Sequence, residues 1–210
     1  MNITAKQLRL YAVTDRHWLN GQRLEDVVEE LLAAGVTCLQ LREKHQDPAE
    51  FARMARALKP ICARYGVPLI LNDAVELAKE VDADGVHVGQ DDMSVARARA
   101  ILGPGKIIGA SAHNVAEAKK AFADGADYLG CGAMFATATK TNVTALPKET
   151  LRDICAAVPI PVVAIGGIHK QNLLSLAHCG EAGVALVSAI FAAKDIEAEC
   201  RELRALVEQL

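Results

Sequence analysis

The sequence predicts an α/β protein folded as a single (β/α)8 TIM barrel spanning residues 1–210, on three observations. A pattern recurs eight times in which a Gly or Pro leads into a short β-prone run that ends in polar or Gly residues. Helical periodicity fills most of the intervals between these runs. The chain also shows no linker, low-complexity stretch or shift in composition, and its 210 residues fall within the range of one such barrel. An open doubly wound sheet is the structural alternative. Its G-x-G-x-x-G turn after the first strand is absent, because that strand ends in "VTDRHWLNG".

The eight candidate strands are "LRLYAVTDR", "AGVTCLQLRE", "YGVPLILND", "ADGVHVGQD", "GKIIGASAH", "GADYLGCGA", "IPVVAIGG" and "AGVALVSA". After the first comes "RLEDVVEELLAAG". There Leu24, Val27, Val28, Leu31 and Leu32 recur at helical spacing and Gly35 supplies a stop. After the second comes "DPAEFARMARALKPICARYG", with Asp47 as N-cap, Pro48 in the first turn and Gly66 as stop. Phe51, Met54, Ala55, Leu58, Ile61 and Cys62 form its apolar stripe, and Pro60 is expected to kink or split it. "SVARARAILG" follows the fourth strand. "NVAEAKKAFADG" follows the fifth, with Asn114 as cap, Glu117 supporting the first turn and Gly125 ending it. "IEAECRELRALVEQL" closes the chain as a helix. The longest irregular stretch is "CGAMFATATKTNVTALP", residues 131–147, of a length that in a compact domain marks a functional lid.

Composition narrows the function. Apolar residues make up 51% of the chain and net charge is −3, so disorder and a nucleic-acid footprint are both disfavoured. A chain this long can bury roughly 70% of its unfolded surface. The N-terminal stretch carries no signal-peptide pattern and no run of apolar residues is long enough to span a membrane, so a cytoplasmic location is expected. The six cysteines form no C-x-x-C pair and sit mostly among apolar residues, as reduced, buried small hydrophobes do.

Sites in such barrels lie at the C-terminal ends of the strands. In "CLQLREK", residues 38–44, Leu39 and Leu41 read as a buried strand, while Gln40, Arg42 and Lys44 share the other parity and one side. Inward cations are costly to bury without an anion, and Arg42, Lys44 and Lys140 together suit a highly charged phosphate group. The alternative is a solvated rim in which Arg42 and Lys44 pair with Glu43 or Asp47. Strand three ends in Asn72 and Asp73, strand four in Gln90, Asp91 and Asp92, strand five in Ser111 and His113. Two acids beside a polyphosphate point to Mg²⁺, although Asp also caps helices. The residues alone leave Asp91 and Asp92 both open for that role. Thr137, Thr139 and Lys140 follow strand six, Gly166 and Gly167 strand seven, and Ser188 strand eight, where barrels bind phosphate through backbone N–H groups. Two anion sites in one pocket result. His113 reads as a structural hydrogen-bonding group or a proton-transfer group, and His87 reads as packing. His17, His45, His169 and His178 show no ligand spacing.

These motifs resemble the thiamine-phosphate synthase (thiamine-phosphate pyrophosphorylase) family. "LYAVTDR", "QLREK", "LILNDAVELA", "ADGVHVGQDD", "GASAHN", "GADYLGCGAMFATATKT", "PVVAIGGI" and "GVALVSAI" carry the resemblance across nearly the whole chain. It implies a transferase that joins a hydroxymethylpyrimidine diphosphate to a thiazole phosphate, giving thiamine phosphate and pyrophosphate by a dissociative, Mg²⁺-assisted substitution. It implies that Gln40, Leu41, Arg42, Glu43, Lys44, Asn72, Ser111 and Lys140 bind the pyrimidine diphosphate, with Arg42, Lys44, Ser111 and Lys140 catalytic. Thr137, Ala138, Thr139, Gly167, Val187 and Ser188 would bind the thiazole phosphate. One Mg²⁺ would sit on Asp73 and Asp92, the family pattern Gly-Gln-x-Asp favouring Asp92 over Asp91. The loop "GAMFATATK" departs from the family by placing Ala133 and Ala136 where prolines are usual, which implies a less restricted lid. The competing readings are a TenI-type thiazole tautomerase, which lacks most of the diphosphate and metal set, and a non-catalytic phosphate-ligand-binding barrel. Expected partners are small phosphorylated substrates, with no nucleic acid and no membrane, and a homo-oligomer is left open.

Overall fold

Each strand pairs in parallel with its neighbour in sequence, and the last returns to the first, so the sheet closes on itself. The structure, a computed structural model, describes residues 3–43, 47–137 and 145–210. The strands are β1 (Leu10–Val13), β2 (Cys38–Leu41), β3 (Leu69–Asn72), β4 (Gly85–Val88), β5 (Ile107–Ala112), β6 (Tyr128–Cys131), β7 (Val162–Ile165) and β8 (Gly183–Leu186). The barrel predicted from the recurring runs is therefore the fold, and the open sheet is excluded.

Helices α1 (Leu24–Ala33), α2 (Pro48–Tyr65), α3 (Val75–Glu80), α4 (Val95–Leu102), α5 (Val115–Ala123) and α6 (Lys148–Ala157) follow β1 to β6 in turn. Their ends obey the capping chemistry of the sequence. Asp47 accepts from the N–H of Glu50, Ser94 from that of Arg97 and Asn114 from that of Glu117. Gly66 closes α2 at φ 66°, a left-handed conformation that costs Gly little. Pro60 does not split α2, which runs unbroken. Met54, Ala55, Leu58, Ile61 and Cys62 are all buried along one face, and that burial outweighs the backbone hydrogen bond that proline cannot make. Between β7 and β8 the connection holds only a 3-10 turn, Leu173–Leu176, whose two end leucines are fully buried. A short helix α7 (Ser188–Phe191) follows β8 directly, and α8 (Ile196–Val207) packs beside α1. No described helix is long and apolar enough to cross a membrane.

Strand parity divides the core in two. Leu10, Leu39, Leu71, Val86, Leu129 and their neighbours point outward and pack under the helices. Tyr11, Cys38, Ile70, Ile107, Tyr128 and Val163 point inward, with Ile3 and Leu8 plugging the N-terminal end. Burial on both faces explains why the strands read as nearly continuous apolar runs. The interior admits a tyrosine at 128 because its partner across β5–β6 is Gly109. A Cβ at 109 would lie 2.1 Å from the Tyr128 ring.

One buried acid is only weakly compensated. Neither carboxylate oxygen of Glu181 makes a well-formed hydrogen bond among the described residues, and burial pushes its carboxyl above the usual range, against weaker pulls from its own backbone N–H, then Arg9 and His178. The folded chain thus holds this proton to higher pH than the unfolded chain does. Stability is lost as pH rises through that interval. Glu181→Gln is expected to raise Tm at neutral pH, by about 2–4 °C for each kcal/mol recovered, with the gain vanishing at pH below the ordinary carboxylate range; an equal gain at both pH values would refute the ionisation account. Gly109→Ala is expected to lower stability by about 1–3 kcal/mol through overpacking against Tyr128, read from urea unfolding. A neutral result there would show that the ring can yield.

Candidate active site

The C-terminal ends of the strands surround an open pocket with a cavity volume of about 120 Å³. Gln40, Arg42, Asn72, His87 and Ser111 line one side, from the ends of β2 to β5. The opposite wall is apolar and glycine-rich, with Val163, Ile165, Gly166 and Gly167 around β7 and Val187 and Ser188 after β8. Thr137, beyond β6, joins the lining. The structure therefore brings together the predicted Gln40, Arg42, Asn72, Ser111, Thr137, Gly167, Val187 and Ser188. Lys44, Ala138, Thr139 and Lys140 lie outside the described residues. The side chain of Leu41 faces outward, fully buried under the helices, and does not reach the pocket.

The parity of "CLQLREK" separates its charges. The hydroxyl of Thr14 accepts from the N–H of Arg42 at 2.9 Å, and its single proton faces two acceptors, the Arg42 carbonyl and Glu43 Oε1, each at 3.3 Å. Glu43 points away from the pocket, its side chain only 5% exposed, with Arg16 Nε 3.9 Å from it. Burial pushes its carboxyl up to about 7, offset in part by Arg16 and by the Thr14 hydrogen bond. Among the described residues Arg42 makes no ion pair within 4.0 Å, although its charge joins that of Arg16 in holding the Glu43 carboxyl down; Glu43 is turned toward Arg16, and half-buried Arg42 lines the pocket.

The floor is a row of hydrogen bonds that the sequence reading missed. Gln40 Nε2 donates to the Tyr11 hydroxyl at 2.8 Å, and that hydroxyl lies 2.8 Å from the hydroxyl of Tyr128. The Tyr128 hydroxyl is 3.0 Å from His87 Nδ1, and His87 Nε2 is 3.1 Å from Ser111 Oγ. His87 is thus a pocket residue rather than packing. Strand parity in "GVHV" was the available signal, since Val86 and Val88 point outward. His113 lines the pocket as well, and its N–H and Nδ1 lie 2.8 and 2.9 Å from Glu117 Oε2, at the start of α5.

Asp73 follows Asn72 in a left-handed conformation, φ 61°, where an Asp is uncommon, and its Oδ2 accepts from Asn72 Nδ2 at 2.5 Å. Asp92 Oδ2 accepts from the N–H of Gly89 at 2.9 Å, and a Cβ at 89 would lie 2.6 Å from that oxygen. Both acids follow the strands that carry Asn72 and His87, Asp73 directly after β3 and Asp92 four residues after β4, but neither is among the residues that line the pocket. Asp91 is exposed. As a donor set, two carboxylates offer hard oxygen ligands and leave other positions to water and phosphate, which is how Mg²⁺ is usually held. No group of three ligating side chains occurs among the described residues, so the set is incomplete for a metal that needs an all-protein cage.

On the far wall the Gly pair is more than a tight turn. The segment after β6 continues alongside β7, with Met134 N–H donating to the Ile165 carbonyl and Phe135 N–H to that of Gly166. A Cβ at Gly167 would lie 2.4 Å from the Ala136 carbonyl, and φ 65° independently favours glycine there. Asn172 Nδ2 donates to the Gly167 carbonyl at 2.9 Å and holds the turn from behind.

The comparisons with known proteins agree with this geometry. The profile of the family described as "Thiamine monophosphate synthase" matches residues 10–190. The chain is similar to the thiamine-phosphate synthase of Chloroflexus aurantiacus, at 49% identity over 95% of this chain and 92% of that one. It is similar to that of Methanobrevibacter smithii at 46% identity over 90% of each. Among solved structures it resembles thiamine phosphate pyrophosphorylase from Pyrococcus furiosus, with a TM-score of 0.89 and 38% identity over 97% of each chain. With fold, strand-end residues and relatives in accord, the chain belongs to the thiamine monophosphate synthase family.

Proposed function

We propose that the pocket performs the thiamine-phosphate synthase reaction, in which a hydroxymethylpyrimidine diphosphate is joined through its methylene carbon to the nitrogen of a thiazole phosphate, with release of pyrophosphate. The observation that carries this reading is Arg42, a half-buried guanidinium turned into the pocket with no carboxylate partner among the described residues. A cation held there is offset by a bound anion, and its planar fork suits phosphate oxygens.

In this reading Gln40, Asn72 and Ser111 hold the pyrimidine diphosphate along the polar wall, with Leu41 and Glu43 contributing only backbone. Lys44 and Lys140 add charge at the diphosphate. Gly167, Val187 and Ser188, with Thr137, Ala138 and Thr139, take the thiazole phosphate on the glycine-rich side. Asp73 and Asp92 would hold one Mg²⁺, which when bound supplies positive charge to the diphosphate oxygens. The substitution is dissociative: the bond from the methylene carbon to the diphosphate oxygen breaks first, its electron pair leaving with pyrophosphate. Arg42, Lys44 and Lys140 act by stabilising charge that grows on that leaving group, more in the transition state than in the ground state. The thiazole nitrogen then donates its electron pair to the methylene cation. No protein nucleophile is needed, and the two walls supply orientation. The six cysteines, all unpaired, support a reducing cytoplasmic setting.

The test is product formation from the two substrates with and without Mg²⁺, with thiamine phosphate read as fluorescent thiochrome after oxidation. Mg²⁺-dependent product is expected. Arg42→Ala is expected to lower kcat by about 10²–10³-fold, the range for loss of one charge-stabilising group. Asp92→Ala is expected to abolish the response to Mg²⁺. Absence of product from a protein that still binds the thiazole phosphate would overturn the reading.

A further inference from the structure

The row across the barrel floor has a direction that can be counted. Its five members come from five different strands: Gln40 from β2, Tyr11 from β1, Tyr128 from β6, His87 from β4 and Ser111 from β5. The amide nitrogen of Gln40 can only donate, so the Tyr11 oxygen accepts from it. The proton of Tyr11 then goes to the Tyr128 oxygen, 2.8 Å away. Tyr128 then has its own proton to place, and with His87 as a neutral imidazole the neighbour left to take it is Nδ1, 3.0 Å away. An Nδ1 that accepts leaves the imidazole proton on Nε2, where it is given to Ser111 Oγ. Ser111 has then accepted from behind, and its hydroxyl proton is left to the pocket it lines.

Two observations show that the row is built rather than incidental. The inner positions that would crowd it are glycines: Gly109 makes room for the Tyr128 ring, and a Cβ at Gly130 would lie 3.2 Å from His87 Cε1. Both phenols are also sealed in, Tyr11 at 1% and Tyr128 at 0% exposure, where an unpaired hydroxyl is costly. Burial holds both phenols well above the usual range, so each brings its proton to the row.

We propose that this row is a directional hydrogen-bond relay, in which Gln40 sets the polarity, Tyr11, Tyr128 and His87 transmit it as positioning residues, and Ser111 is thereby presented to the substrate as a donor. The consequence is selectivity. Ser111 meets an acceptor on the ligand, a ring nitrogen or a phosphate oxygen. Gln40, with one N–H committed to Tyr11, offers the ligand its carbonyl oxygen and its second N–H. Reversing the row would exchange these roles at both ends, so polarity at one wall of the pocket is tied to polarity at another. The link to catalysis rests on the reaction proposed above, whereas the direction of the relay does not.

The deciding measurement is the tautomer of His87 in the full chain, by long-range ¹H–¹⁵N correlation of ¹⁵N-labelled protein without substrate. In the wild type the proton is expected on Nε2. In Gln40→Glu the carboxylate can only accept, so the row should reverse and the proton should move to Nδ1. A wild-type proton on Nδ1, or a tautomer unchanged in Gln40→Glu, would overturn the relay. The kinetic arm compares two substitutions. His87→Gln can place an amide donor where Nε2 lies, whereas His87→Asn reaches only the position of Nδ1. The expected result is a fall of about tenfold in kcat/KM for the pyrimidine diphosphate in His87→Asn, largely restored in His87→Gln, as for loss and recovery of one hydrogen bond. Equal losses in the two would reduce His87 to a packing role and overturn its part in the relay. A chain with the expected tautomers that makes no thiamine phosphate would sink the proposed reaction and leave the relay standing.

Discussion

Closing eight parallel strands into a barrel sends every second residue into an interior that side chains alone must fill. Everything distinctive about this molecule follows from how that space is shared. Large inward residues on β1 and β6 face small ones on their neighbours, and Tyr128 reaches Tyr11 only because Gly109 lies across from it. The floor of the pocket is thus the top of the packed interior. Its polar atoms are the far ends of core residues, and the stability of the barrel and the geometry of the site rest on the same side chains.

The same alternation sorts charge. At the end of β2, successive residues point to opposite sides, and the chain uses this to separate an acid from a base that adjoin in sequence. Glu43 is turned outward to Arg16 and Thr14, Arg42 inward to the pocket. If both pointed the same way, the acid would neutralise the base and the pocket would lose the positive charge that Arg42 brings to its wall. The far wall relies on backbone instead. There, glycines at 166 and 167 let the segment after β6 lie close against the end of β7.

Much of this was legible in the sequence because it is local. Caps at Asp47 and Asn114, the stop at Gly66 and the inward parity of Gln40 and Arg42 each depend on residues a few positions apart. What escaped the sequence is what depends on distance along the chain. Pro60 read as a break, but the burial of Leu58, Ile61 and Cys62 against the barrel holds α2 together across it. The interval after β7 carried no assigned element, and there one 3-10 turn suffices to bury Leu173 and Leu176. Tyr11 and Tyr128 stand 117 residues apart, and no local pattern announces that their hydroxyls meet. For His87, parity placed it inward, but only the closed barrel shows Tyr128 on one ring nitrogen and Ser111 on the other.

A floor made of neutral groups and a mouth that carries charge divide the work of recognition. A charged residue among Tyr11, Tyr128 and Ile70 would be severely desolvated, and its field would reach the whole pocket at low effective dielectric. A row of hydroxyl, imidazole and amide groups avoids both effects, because it conveys orientation without net charge. Positive charge can then stay at the strand ends, where Arg42 is half-buried and an anion arriving from solvent meets it first. A ligand with a diphosphate at one end and a neutral heterocycle at the other fits that polarity in a single orientation. The glycines at 109 and 130 give the neutral row its room beside Tyr128 and His87, and so keep the hydrogen-bonding floor below the charged strand ends.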